Sequence, residues 1–80
     1  MTDRKIQYLL GDLCVQQGFC LPPKEQDRIA SIGTWEAESF AKDVVASEGL
    51  NPEYETKHVR NIRNKFIEVF GSNVYSSKNS

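Results

Sequence analysis

The sequence predicts an all-α fold, a small domain of four helices at roughly 3–17, 23–32, 35–48 and 52–70. Three observations predict it. Apolar residues recur at the 3.6-residue helical period in four separate segments. Each segment is bracketed by residues that start and stop helices. No segment shows sustained apolar–polar alternation or an Asn-Gly or Asp-Gly hairpin signal. Eighty residues make one domain, and a chain of this size buries only about 60–65% of the surface it exposes when unfolded. We expect a helical domain over 1–71 and a flexible polar tail over 72–80.

The first helix opens at Thr2, a capping residue, with Asp3 in the first turn where the helix dipole favours an anion. Ile6, Leu9, Leu10, Leu13, Cys14 and Gln17 share one face, and Gly18 supplies a C-terminal stop. Pro22 and Pro23 then bar the helical region to the residues before them. Pro23 suits the first turn of a second, shorter helix with Ile29 and Ile32 inward and Gly33 at its end.

The third helix starts at Gly33 or Thr34, with Glu36 and Glu38 near its positive end. Ala37, Phe40, Ala41, Val44 and Val45 form its apolar stripe. Glu38 and Lys42 make an (i, i+4) pair in the favourable order. Asn51-Pro52-Glu53 is the strongest start signal in the chain: a cap residue, proline at the first helical position, then an acid. The helix it begins carries Val59, Ile62, Phe66, Val69 and Phe70 inward and stops at Gly71. The tail beyond is polar, although Val74 and Tyr75 are apolar enough to dock on the core.

Charge is distributed unevenly. The formal net charge is −1, yet Lys57 to Lys65 reads K-H-V-R-N-I-R-N-K with no acid, after a third helix rich in acids. An isoelectric point near 5.7 argues against a dedicated polyanion binder, whose domain usually exceeds about 9. No apolar run approaches the roughly 20 residues of a membrane span. Gln7, Gly11 and Asp12 interrupt any signal-peptide-like stretch near the N-terminus. The expectation is a cytoplasmic protein that does not engage the membrane; Cys14 and Cys20 read as two reduced thiols, with a disulfide across the short segment between them as the sterically possible alternative.

Catalytic chemistry finds no footing. Cys14 lies on the apolar face, where burial makes a thiol inert, and His58 sits at the margin of the inward face of the fourth helix. Cys14, Cys20 and His58 fall short of the four ligands of a structural zinc site. No glycine-rich phosphate loop, H-E-x-x-H pair or EF-hand loop occurs. We expect no enzymatic activity, no metal and no cofactor. An acidic four-helix chain of this length resembles the acyl carrier proteins in outline, but their Asp-Ser-Leu attachment site is missing. The turn before the fourth helix resembles a helix-turn-helix in Gly49-Leu50, but Glu55 stands where that motif buries an apolar residue.

Three features remain as candidate binding elements. At about 100° per residue, Lys57, Arg60, Asn61, Asn64 and Lys65 lie opposite the inward face of the fourth helix. Positive and amide side chains on one helix are what a phosphate-and-base reader uses. Arg4, Tyr8, Gly11 and Val15 form a stripe on the back of the first helix, where Gly11 admits a close backbone approach. That stripe either packs between neighbouring helices or meets a partner. Trp35, opposite the apolar stripe of the third helix, either covers the Pro22-Pro23 connection or is an exposed aromatic of the kind enriched at interfaces. The resulting expectation is a small non-catalytic protein acting through protein–protein interaction, with another protein or as a homodimer. The alternative is a nucleic-acid-binding module using the fourth helix.

Overall fold

The computed structural model describes residues 2–77. Four helices form: α1 (Arg4–Gln17), α2 (Pro23–Ala30), α3 (Ala37–Ser47) and α4 (Thr56–Phe70). They are joined by a feature that the sequence reading lacks, a small antiparallel sheet of β1 (Thr34–Glu36) and β2 (Val74–Ser76). The fold is therefore mostly helical rather than all-α.

The helix ends explain themselves chemically. Asp3, not Thr2, caps α1: its carboxylate accepts from the Ile6 amide at 3.0 Å. Gly18 adopts φ 77°, and the amides of Gly18 and Phe19 bond back to the carbonyls of Cys14 and Leu13 at 3.2 and 3.1 Å, closing α1 in a left-handed turn that glycine adopts without strain. Helix α2 ends two residues earlier than its apolar pattern suggests. Ser31 and Ile32 bond to the carbonyls of Arg28 and Ile29 in tight turns, which leaves Ile32 51% exposed.

Helix α4 starts four residues late, because Asn51 spends its capping capacity on an isolated turn. Its side chain accepts from the Glu53 amide at 2.9 Å, and its carbonyl accepts from Tyr54 and Glu55. Glu55, at φ −98° and ψ 50°, then separates this turn from the helix.

The sheet corrects two expectations. Trp35 is not on the first turn of α3. It pairs with Tyr75 across the strands, flanked by Thr34 with Ser76 and Glu36 with Val74. Thr, Trp, Val and Tyr suit a pleated, half-buried surface, and neither three-residue strand is long enough to show the alternation that would reveal it. Nor is the tail uniformly free: 74–76 is strand, and the Ala37 amide bonds to the Asn73 carbonyl at 2.7 Å. Residues 78–80 of the expected flexible tail lie outside the described residues.

The core gathers the inward stripes. Ile6, Leu9, Leu13, Ile29, Val44, Val45, Ile62 and Phe66 are its largest fully buried side chains. A run of aromatic contacts crosses it. Phe40 lies 5.2 Å from Phe66, Phe66 4.7 Å from Phe70, Phe70 4.1 Å from Tyr75, and Tyr75 5.6 Å from Trp35, between ring centroids. Val69, expected inward, is 45% exposed, since Tyr75 covers the last turn of α4 on the Phe70 side. Cys14 and Cys20 are joined in a disulfide, not held as two thiols. It ties the last turn of α1 to the apolar connection, and a loop this short gains roughly 2 kcal/mol by the chain-entropy estimate.

Between α2 and α3, Arg28 makes paired hydrogen bonds to Asp43 at 2.8 and 3.3 Å and reaches Glu25 and Ser47. The hydrogen bonds to Asp43, then Glu25, hold its guanidinium pKa above the usual value. The group is charged at any accessible pH, so this network fixes helix orientation more than it adds stability.

Truncating Phe66 to alanine should cost about 3–5 kcal/mol, because the ring is fully buried between Phe40 and Phe70. Urea denaturation followed by circular dichroism measures it, and a loss below about 1 kcal/mol would contradict core burial.

Tyr75 gives a pH test. Burial first, and the hydrogen bond to Asp3 second, raise its phenol above the ordinary 10.0. The folded state therefore favours the neutral phenol. The stability this contributes is present below pH 10 and is lost as pH rises through the higher folded value. At neutral pH the wild type should exceed Tyr75→Phe by about 1 kcal/mol. That gap should narrow above pH 10, and a gap constant with pH would refute the assignment.

Candidate functional site

Two helix faces are presented to solvent by the way α1 and α4 bury their other sides. On α1, Ile6, Leu9, Leu10 and Leu13 go to the core. The opposite stripe is left open: Tyr8 is 74% and Val15 85% exposed. Between them a Cβ at Gly11 would meet nothing within 4 Å. The stripe is not packed between helices of this chain, and it forms a shallow apolar strip with Arg4 at one end. Trp35 does not join it. Its ring is 2% exposed, its indole N–H donates to the Ile29 carbonyl at 2.6 Å, and it stacks on Tyr75 at an interplanar angle of 18°. The indole is a core residue, and its sequence position gave no sign of the strand that turns it inward.

On α4, Lys57, Arg60, Asn61 and Asn64 are exposed, and Lys65 is half-buried. These residues do not make one uniform basic face. The helix is flanked by a groove on each side, and the residues divide between them. Arg60 lines a groove of about 400 Å³ against α3, together with Lys42, Glu38 and Glu53. Asn61, Asn64 and Lys65 line a groove of about 450 Å³ against the end of α1. Lys57 lines neither. Acids also interrupt the positive charge: Lys65 lies 4.0 Å from Glu68, itself 76% exposed, and Lys42 pairs with Glu38 at 3.2 Å.

The α1–α4 groove contains two residues that the sequence reading did not select. Gln16 and Gln17 meet Asn61 and Asn64 there, so four carboxamides line one cleft. Gln17 Oε1 is buried with no hydrogen-bond partner. Helical spacing places Gln17 near the core edge, and its meeting with α4 is a consequence of tertiary packing. Tyr54, 84% exposed in the isolated turn before α4, is a second unselected aromatic.

His58 sits at the same end of the molecule. Its ring contacts Phe19 edge-on at 5.1 Å, and Nε2 lies 3.7 Å from Glu55. The two cysteines are bonded to each other, so neither presents a free thiol to His58. Among the described residues, no group of three or more His, Cys, Asp or Glu side chains is placed to hold a metal ion. No described helix is long and apolar enough to cross a membrane.

No family model, curated protein or solved structure matches this chain.

Proposed function

We propose that this protein acts without catalysis, by binding another protein or a second copy of itself through the outer face of α1. The observation that carries the reading is the open Tyr8–Gly11–Val15 strip. A tyrosine and a valine stand 74% and 85% exposed on a helix whose other face is fully committed to the core. A tyrosine supplies a large amphipathic contact at low entropic cost, and the glycine between the two side chains leaves room for a partner backbone. The Cys14–Cys20 disulfide holds the same end of α1, which favours a preformed surface over one that orders on binding. That disulfide pulls against a cytoplasmic setting, since such bonds persist mainly in oxidising compartments.

Tyr8→Glu and Val15→Glu place a charge on this strip without touching the core. Each variant should keep the wild-type circular dichroism and melting temperature, and each should lose association in sedimentation or partner capture. Unfolding of either variant would show that the strip is structural.

A second reading, nucleic-acid binding by α4, is favoured by the joint exposure of Lys57, Arg60, Asn61 and Asn64. With a net charge of −1 and Glu68 beside Lys65, binding should be no tighter than roughly micromolar at physiological salt. Gel-shift titration should then show weakening on Lys57→Gln or Arg60→Gln for every probe sequence. Asn61→Ala or Asn64→Ala should instead alter sequence preference. No shift at tens of micromolar protein in low salt would leave protein association as the reading.

A further inference from the structure

The groove between α3 and α4 holds charges that the fold does not neutralise. Arg60 and Arg63, one turn apart on α4, both line it, along with Thr56 at the start of that helix. The groove's other positive group has a partner: Lys42 pairs with Glu38 at 3.2 Å. Among the described residues, neither Arg60 nor Arg63 has a carboxylate within 4.0 Å. Arg63 is half-buried, and its Nε is buried without a hydrogen-bond partner. That Nε loses hydration without gaining an acceptor, while the terminal N–H groups of the same guanidinium make no hydrogen bond among the described residues and are the donors an oxyanion in the groove would take. Val59 and Pro52 give the groove an apolar wall.

We propose that this groove binds a single oxyanion side chain, a carboxylate or phosphate monoester, on a peptide segment of a partner protein. Two guanidiniums at (i, i+3) suit the planar or forked oxygens of one such group. The Thr56 hydroxyl adds a donor, and no side chain caps the first amides of α4. The acids choose the class of partner. Glu53 and Glu38 share the groove, so a nucleic-acid strand with a charge at every residue would bring several anions against them. One anionic group flanked by neutral or basic residues brings a single charge into the groove and meets far less, the remaining repulsion coming from Glu38 and Glu53. The site is separate from the α1 strip and does not depend on it.

The test uses the whole chain and short synthetic peptides that differ at one central residue: phosphoserine, glutamate or serine. Inorganic phosphate is a fourth probe, and all are titrated at constant ionic strength. Two-dimensional NMR should show saturable shifts at Thr56, Arg60 and Arg63 for the phosphoserine or glutamate peptide, and none for serine. Which of the two anionic peptides binds more tightly identifies the source of the oxyanion. Arg60→Gln and Arg63→Gln should each weaken binding at least roughly tenfold, the loss of a charge-assisted hydrogen bond. Glu53→Gln should tighten it, whereas Glu68→Gln, on α4 but in the other groove, should not; equal tightening by both would mark a nonspecific attraction to the helix and overturn the proposal. Should Arg63→Gln unfold, Arg60→Gln and Glu53→Gln still decide. The proposal is overturned by equal binding of the serine peptide, by shifts spread over Lys5 and Lys24, or by an oligonucleotide that shifts these resonances while the peptides do not.

Discussion

Tyr75 is the contact through which distant parts of this chain meet. Its backbone pairs with Trp35 in the two-stranded sheet. Its ring lies stacked against Trp35 on one side and Phe70 on the other, and Lys5 Nζ stands 5.9 Å from the ring centroid. Its hydroxyl donates to Asp3 Oδ2 at 2.9 Å, while Asp3 Oδ1 caps α1 and the Asp3 amide bonds to the Ala30 carbonyl at the end of α2. One residue near the C-terminus thus fastens the start of α1, the end of α2, β1 and the last turn of α4. In a domain with so thin a core, such closure between chain ends removes fraying that short helices would otherwise suffer.

The closure also determines what is left for binding. Because β1 turns Trp35 inward, the largest aromatic serves the core, and the exposed rings are Tyr8 and Tyr54. Because α4 packs between α3 and the end of α1, its polar side chains are divided into two grooves of different chemistry. One holds two unpaired guanidiniums among scattered acids; the other is lined by carboxamides. A helical wheel treats these residues as one basic surface. The folded molecule offers a strip on α1 and separate clefts beside α4, each with its own complementary partner chemistry.

Much of the framework was legible in the residues. The four helices, the inward positions Phe40, Val44, Ile62 and Phe66, the Glu38–Lys42 pair and the glycine stops at Gly18 and Gly71 follow from periodicity and capping chemistry, which are local. The exposure of Tyr8 and Val15 was legible only as one of two outcomes, since a helix apolar on two sides fits either the middle of a bundle or its surface. The strands were not legible. Three residues cannot display a period, and Thr34-Trp35-Glu36 also makes an acceptable first helical turn. Its amides turn to Val74–Ser76 because that segment arrives alongside from 40 residues away, with Tyr75 able to fill the space over Phe70 and Trp35.

The sequence by itself determined where helices run and which face of each is apolar, because hydrophobic spacing and end-capping act over a few residues. Tertiary structure alone decided the sheet, the burial of Trp35 and the sorting of the α4 side chains into clefts. Each of these depends on which distant groups come within contact distance. The return of the C-terminal strand past α1 brings Tyr75 to Asp3. Pairings of that kind are set by the path of the whole chain, which no local pattern of residue types encodes.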